Sequence, residues 1–415
     1  MSMQRRTILA SGAALALTVR RARAQQAQTI RVGVLTDMSG PNRDPTGPGS
    51  VAGAQLAANE FMADHPGIKV GVVVADHLNK ADVGVGIARE WYDRDGVDVI
   101  ADIGNSAVAL GCTTVTQQKD KVQLNTGAGT AELTGRMCSA NSIQWTFDSY
   151  AIAHTMGTLL TETVGKTWFF ITPDYAAGKD VQAETTKMVE KAGGKVLGGV
   201  LYPFPSTTEF SSYLLQAQAS GAAIVALANG GDNMVNSVKQ AHEFGISQRL
   251  AVLTANALSI AKAGLDSMQG VMMVEAFYWD LNDRTRAFDK RIRPLLAPGY
   301  FPNSLHAGAY AAVRHYLKVA DEMGVAAVKA SGRAAVAAME RMPTDDDCFG
   351  KGFVRVDGRC IHPFYLFEVK TPAESHGFAD VLKLVATALV HNSEAAGFGD
   401  WAAERIRPLP RSLDA

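Results

Sequence analysis

The feature that most constrains this 415-residue chain is an alternation of strand and helix that runs its course twice. Apolar runs of strand length stand at Ile30–Thr36, Lys69–Ala75, Val97–Ile103 and Val122–Asn125. A second series stands at Lys166–Ile171, Lys195–Leu201, Ala223–Ala228, Leu250–Leu253 and Val271–Glu275. Helical periodicity fills the gaps over Val51–Ala63, Gly84–Asp93, Gly178–Ala192, Phe210–Ala219, Met234–Phe244 and His306–Met323. Continuous apolar strands separated by helices imply parallel sheets covered on both faces. Two series, in a chain longer than one core usually holds, imply two doubly wound α/β lobes. Towards the end the pattern changes. Gly352–Val356 and Phe364–Val369 alternate or carry aromatics about Asp357-Gly358, which predicts a hairpin.

Residues 1–24 read as an export signal. Arg5-Arg6 precedes an apolar run, Ile8–Val19, that is too short to span a bilayer, and Ala22-Arg23-Ala24 has the small-x-small cleavage pattern. The paired arginines point to the twin-arginine route, although Gln4 stands where a Ser or Thr is common. Cleavage would remove five arginines and no acids, leaving 35 basic residues against 41 acidic ones. That balance gives no basic face for nucleic acid. No other run reaches about 18 apolar residues, so a chain free in the periplasm is expected. In that oxidising compartment the four cysteines are expected to pair. Three pairings are possible, of which the local ones, Cys112–Cys138 and Cys348–Cys360, are favoured. No C-x-x-C and no histidine cluster accompanies them, so no metal is expected. Residues 388–415 read as a polar, Pro-containing tail.

Enzyme signatures are missing. There is no G-x-S-x-G and no G-x-x-x-x-G-K-[ST], and the nine histidines share no spacing with a nucleophile. Asp345-Asp346-Asp347 reads as a solvated run. No catalytic activity and no cofactor are expected.

Several segments together resemble the extracytoplasmic solute-binding proteins of ABC transporters, in the branched-chain amino acid (Leu/Ile/Val-binding) family with the type I periplasmic-binding fold. They are VGVLTDMSGP, GSVAGAQLAANEF, NTGAGTAELT, WTFDSYAIA, TWFFITPDYAAG, FSSYLLQAQASGA, VEAFYWDLND and FGKGFVRVDGRCIHPFYLFEVK, in this order from Ile30 to Ala386. The resemblance implies a clamshell whose two lobes, joined by three crossovers, close on a small molecule. It implies lobe one over residues 29–147 plus 276–345 and lobe two over 148–275 plus 346–387. It also implies a monomer that docks on the permease of an importer. A ligand-sensing receptor module with the same fold is the alternative of a different class.

In open parallel sheets, ligands sit beyond the carboxyl ends of the strands, where helix N-termini favour negative charge. Gly104-Asn105-Ser106-Ala107 matches the family loop that holds a ligand carboxylate, with Ser106 as the leading contact and Asn105 and Ala107 beside it. Helix capping would equally place Asn or Ser there. Gly127, Ala128, Gly129 and Thr130 match a second such loop; a strand-to-helix turn would also want its glycines. Tyr175 matches the lobe-two tyrosine that covers the ligand. Tyr150 and Phe277 are candidate walls, or ordinary core. Asn229, Gly230 and Asn256 lie in further strand-end loops. Amino acid binders of the family place an acid near Thr254–Leu258. Here Thr254-Ala255-Asn256-Ala257-Leu258 has none, although Asp232 or Asp174 could substitute, and a buried ammonium without a counter-charge is costly. Arg43 could hold a carboxylate with two hydrogen bonds, or pair with Asp44 at the rim. These features favour an amine-free organic acid, aromatic or short hydroxy/keto, over an amide such as urea or an apolar amino acid.

Overall fold

The computed structural model describes residues 29–40, 42–174, 176–204 and 206–389. The expected export signal at 1–24, Tyr175 and residues 390–415 lie outside the described residues. The first unit runs β1 (Thr29–Thr36), α1 (Gly47–Asp64), β2 (Lys69–Asp76), α2 (Ala81–Glu90), β3 (Val99–Asp102), α3 (Ser106–Gln118), β4 (Val122–Asn125) and β5 (Ser142–Gln144). Its five strands are parallel, in the order β2-β1-β3-β4-β5. A π-turn, Trp91–Asp95, ends α2 and lays Trp91 over β1. Gly33 makes room for that ring, since a Cβ there would stand 2.4 Å from it.

The second unit runs α4 (Ser149–Thr163), β6 (Thr167–Pro173), α5 (Ala176–Lys191), β7 (Lys195–Tyr202), α6 (Ser211–Ala219), β8 (Ile224–Leu227), α7 (Gly231–Glu243), β9 (Arg249–Val252), α8 (Ala257–Ala263), α9 (Leu265–Met268) and β10 (Met272–Glu275). The chain then returns to the first unit with α10 (Asp283–Ile292), α11 (Ser304–Met323), α12 (Val325–Ala330) and α13 (Gly332–Arg341). Helix α11 lies close on α1. A Cβ at Gly49 would stand 2.1 Å from the His306 ring, and one at Gly53 would stand 2.4 Å from the His306 carbonyl. Next come β11 (Thr344–Asp346), β12 (Gly350–Val354), β13 (Cys360–Ile361), β14 (Pro363–Val369) and β15 (Leu382–Leu389). The second sheet has the order β15-β14-β10-β9-β8-β6-β7, parallel from β10 to β7, with β14 and β15 added antiparallel. The two sheets form the two expected lobes.

The lobes meet where the segment after β5 runs beside the segment before β14. Gln144 and Arg359 form a parallel bridge, and Gln144 N–H donates to the Gly358 carbonyl at 2.9 Å. Gly358 has φ +84°, and a Cβ there would lie 2.3 Å from the Ser142 carbonyl oxygen, so only glycine fits. The Arg359 guanidinium is buried. It pairs with Asp148 at 3.0 Å and donates to the carbonyls of Gln144, Trp145 and Cys360 at 3.1, 2.9 and 2.8 Å. These bonds cross-link two of the three connections between the lobes.

Three expectations need correction. Strand β12 does not pair with Phe364–Val369. It pairs with β13 and β11 in a separate three-stranded sheet, and β14 is drawn into the larger sheet beside β10. An edge of that sheet left unpaired would expose a ladder of backbone groups, and β14 covers it. Second, β15 runs through Leu389, two residues into the stretch expected as tail. Third, neither expected disulfide exists: Cys112, Cys348 and Cys360 are buried thiols, and Cys138 is half-buried in a surface turn. Cys112 faces the core under α3, while Cys138 lies in the turn that its N–H closes onto Gly135. Cys348 is held in its turn by a bond from its N–H to Asp346, and Cys360 sits in β13 opposite Val354. Burial pushes the Cys112 thiol up to about 12 and holds Cys348 well above the usual range, so both stay protonated.

Candidate ligand-binding site

At the carboxyl ends of β1, β3 and β4, three loops of lobe one pack together. Asp37, fully buried, organises the first of them. Its carboxylate accepts from the N–H groups of Ser39, Gly40 and Asn42 at 3.2, 2.6 and 2.9 Å, and from the Asn79 amide at 2.5 Å. Burial pushes this carboxyl up, but those hydrogen bonds outweigh burial and hold it below the usual range. Asn42 then reaches across, donating to the Gly104 carbonyl at 3.4 Å. Gly104 has close neighbours on both sides. A Cβ on it would sit 3.0 Å from the Thr46 hydroxyl, and one on Gly127 would sit 2.8 Å from the Gly104 Cα. The glycines at these two positions therefore let the loops touch backbone to backbone.

Asp102, at the end of β3, holds the second and third loops together. Its carbonyl accepts from the N–H groups of Thr126 and Gly127 at 3.0 and 3.2 Å, and its carboxyl accepts from the Thr126 hydroxyl at 3.1 Å. Asp102 and Ile103 both adopt positive φ, +77° and +58°, a strained conformation for residues with a Cβ. Burial raises the Asp102 carboxyl to about 6, against the lowering by the hydroxyls of Thr36, Thr126 and Ser50.

The lobe-one candidates divide into two groups. Asn105 caps α3, its Oδ1 accepting from the N–H groups of Ala107 and Val108 at 2.9 and 3.2 Å. That bond occupies the Ala107 amide expected to face a ligand. Ser106 opens the helix and is half-buried. Ala128 puts its methyl group in the core, while Gln144 donates to the carbonyls of Ala128 and Thr130 at 3.0 and 3.1 Å. Gly129 makes room for the Phe147 ring, and Thr130 caps the turn Ala131–Leu133.

The other candidates are dispersed. Arg43 is exposed at the rim and pairs with Asp44 at 3.1 Å. Asp44 also binds the Tyr300 hydroxyl at 2.5 Å and forms an ion pair with Lys262 on α8. Lys262 lies 4.2 Å from the centre of the Tyr300 ring. This clasp connects the β1–α1 loop of lobe one to a helix of lobe two. Beside it lies an open groove of about 800 Å³ lined by Trp279, Arg293, Tyr300 and Phe378, which contains none of the sequence candidates. Tyr150 lines a cavity of about 10 Å³ with Asp148, Arg359 and His362, room for one water. Phe277 is 1% exposed and packs edge-on to Phe288 and Phe349, so its ring is core. Asn229 is buried, donates to the Ser237 hydroxyl at 3.3 Å, and its Oδ1 meets no partner among the described residues. Gly230 lies against the neighbouring loop; a Cβ would stand 2.8 Å from the Thr254 carbonyl oxygen. Asn256 caps α8 in a reciprocal pair with Ser259.

One acid was missed. The loop before α8 has none in its own sequence, yet Glu275 from β10 reaches it. Its Oε1 accepts from Ala257 N–H at 2.9 Å, and its Oε2 accepts from the Ser304 hydroxyl. Burial pushes this carboxyl up to about 7, and the bonds from Ser304 and Ala257 lower it only in part. Both oxygens are already engaged by lobe groups. The signal available in the sequence was the acid closing an otherwise apolar strand, Val271–Glu275.

Known proteins share this architecture. A family model described as periplasmic binding protein matches residues 29–376. The solved structure of a periplasmic binding protein from Burkholderia mallei is 39% identical, covering 88% of this chain and 95% of that one, with a TM-score of 0.78. A branched chain amino acid ABC transporter periplasmic ligand-binding protein from Burkholderia xenovorans LB400 is 36% identical, covering 87% and 95%, with a TM-score of 0.81. A solute-binding protein of an ABC transporter from R. palustris, solved in complex with benzoate, is 20% identical over 87% and 96% and shares the fold at a TM-score of 0.74. No curated protein matches the chain. Its two lobes, their strand-end loops and these matches converge: the chain belongs to the periplasmic binding protein family, with the type I fold.

Proposed function

We propose that this protein captures a small organic acid between its lobes and delivers it to the membrane permease of an ABC importer. In this reading lobe one comprises residues 29–147 and 276–345, lobe two comprises 148–275 with the sheet strands β14 and β15, and the small β11–β12–β13 sheet leads into the connection at Arg359. The solute meets the Ser106 end of α3 first, and lobe two closes over it by bending at the Gln144–Arg359 connection. Closure excludes water, which strengthens the few polar contacts. The observation that carries the reading is the Gly104–Gly127 backbone contact at the N-terminus of α3. It holds Ser106 at the first turn of α3, where the positive end of the helix suits a carboxylate, while Asn105 itself caps the Ala107 and Val108 amides.

Glu275 bears on the choice between an amine-free acid and an amino acid. A carboxylate already bonded to Ala257 and Ser304, with a raised pKa, is a poor counter-charge for an ammonium. That supports an aromatic or short hydroxy/keto acid. The second reading, an amino acid ligand, is favoured by the mere presence of Glu275 beside α8 and by the Burkholderia xenovorans relative. A thermal-shift screen of residues 25–415 decides between them, with benzoate, 2-oxo acids, leucine and urea as probes. A ligand at about 100 times its dissociation constant stabilises by about 2.7 kcal/mol. A shift with benzoate or 2-oxo acids and none with leucine is expected. A shift with leucine alone would sink the organic-acid reading and leave solute capture standing.

A further inference from the structure

The strand-end loops of lobe one share a hub outside every candidate loop. Asn79 lies between β2 and α2, half-buried, and touches two other loops at once. Its amide nitrogen donates to the buried Asp37 carboxylate at 2.5 Å. Its amide oxygen accepts from Asn42 at 3.1 Å and stands 3.5 Å from the Asn105 amide nitrogen. Asn42 in turn donates to the Gly104 carbonyl, and Asn105 caps the helix that Ser106 opens. The Asn79 backbone is fixed from behind, since its N–H donates to Nδ1 of the buried His77 at 3.0 Å. Gly40 leaves room for the cluster; a Cβ there would stand 2.7 Å from both the Asn79 amide nitrogen and the Asp37 carboxylate.

The backbone carries a second sign of purpose. Leu78 and Asn79 both have positive φ, +53° and +54°, as Asp102 and Ile103 do at the end of β3. Strands β2 and β3 flank β1 on either side. Two consecutive left-handed residues on each flank are strained and persist only where surrounding bonds over-determine them. Asparagine tolerates this conformation better than other residues with a Cβ, and only its amide offers a donor and an acceptor at this reach.

We infer that Asn79 is the positioning residue of the solute site: it touches no solute, and it fixes the Gly104–Ser106 loop through Asn42 and Asn105. This rests on the capture reading above for its functional meaning, but the loop geometry is testable without any solute.

The experiment compares Asn79→Gly and Asn79→Asp with the wild-type protein by hydrogen exchange, mass spectrometry and benzoate titration. Asn79→Gly keeps the positive φ and deletes the amide. It should lower protection factors for residues 104–108 by about tenfold, with the melting temperature within about 2 °C of wild type. Asn79→Asp places a second carboxylate against Asp37, with Asp76 and His77 the other titratable groups facing the loop. At pH 7.5 it should lose protection as the glycine variant does. At pH 5 one shared proton restores a hydrogen bond between the two acids, and protection should return to within about threefold of wild type at that pH. Benzoate affinity should follow protection. Unchanged protection in Asn79→Gly overturns the inference. So does loss of protection across the whole lobe, which would make Asn79 a general stability residue, or an Asn79→Asp variant without pH response. Loop protection that changes while benzoate affinity does not also overturns the positioning role. If benzoate fails to bind wild type, the aromatic-acid arm of that reading fails on its own, and the exchange data still decide the role of Asn79.

Discussion

Replacing Arg359 by methionine tests whether the inter-lobe connection is held by a buried charge pair. The guanidinium is 4% exposed and its partner Asp148 is 3% exposed. Methionine fills similar space but deprives the Asp148 carboxylate of its ion partner, leaving it to accept from the Ala151 N–H, 2.6 Å away. It also strips a donor from the carbonyls of Gln144, Trp145 and Cys360. Removing one partner of a buried pair costs about 3–5 kcal/mol. Asp148→Asn keeps the helix cap and loses the charge, and should cost about 2 kcal/mol. If the two groups act on each other, the double variant will lose at least about 2 kcal/mol less than the sum of the singles. Urea unfolding followed by tryptophan fluorescence reads these differences as midpoint shifts at constant slope. An Arg359→Met loss below about 1 kcal/mol, or singles that add within about 0.5 kcal/mol, would refute the account.

Further outcomes are expected. Glu275 has its pKa raised in the folded state, so its contribution to stability is complete below about 4.5 and is lost as pH rises through about 7. Glu275→Gln should therefore flatten stability between pH 5 and pH 8 and gain about 2 kcal/mol at the upper end; an unchanged pH profile in calorimetry would count against the buried acid. Gly49→Ala drives a methyl group into the His306 ring and should lower stability by about 3 kcal/mol in the same urea assay, whereas Gly67→Ala, with open space around it, should change it by less than about 1 kcal/mol. Lys262→Met removes the clasp on Asp44, and small-angle scattering should then report a wider mean lobe separation at low salt, equal to that of wild type at about 1 M salt, where exposed pairs are screened. Cys348 and Cys360 should stay unmodified by a maleimide reagent in the folded protein and react on unfolding; fast labelling would contradict their burial.

The lobes were legible because central parallel strands buried on both faces leave unbroken apolar runs, and all nine runs read from the sequence are strands, the part-exposed edge strands β2 and β7 included. The late hairpin misled because Gly352–Val356 and Phe364–Val369 look alike locally, whereas their partners are chosen by the large sheet. The disulfides misled for a related reason: compartment and spacing say nothing of the direction a cysteine faces. The strand-end positions of Ser106 and of the glycines at 104 and 127 could be read from loop position. Asn79, Asp102 and Glu275 could not, because each acts on a loop remote in sequence. Phe277 shows the reverse, an aromatic at a suggestive position whose ring the core takes.

Helix α11 completes lobe one only after lobe two's first five strands have been synthesised, and β14 and β15 complete lobe two only after α11. Neither unit is therefore contiguous, and a nascent chain stopped at Glu275 would hold two sheets with one flank of each bare. Such a chain must hold apolar surface open until its last hundred or so residues arrive. Its folding rate is set by contacts that bridge hundreds of positions rather than by its individual helices. Truncation from the carboxyl end should thus abolish both lobes together, and halves of the gene expressed separately should find their structure only when mixed.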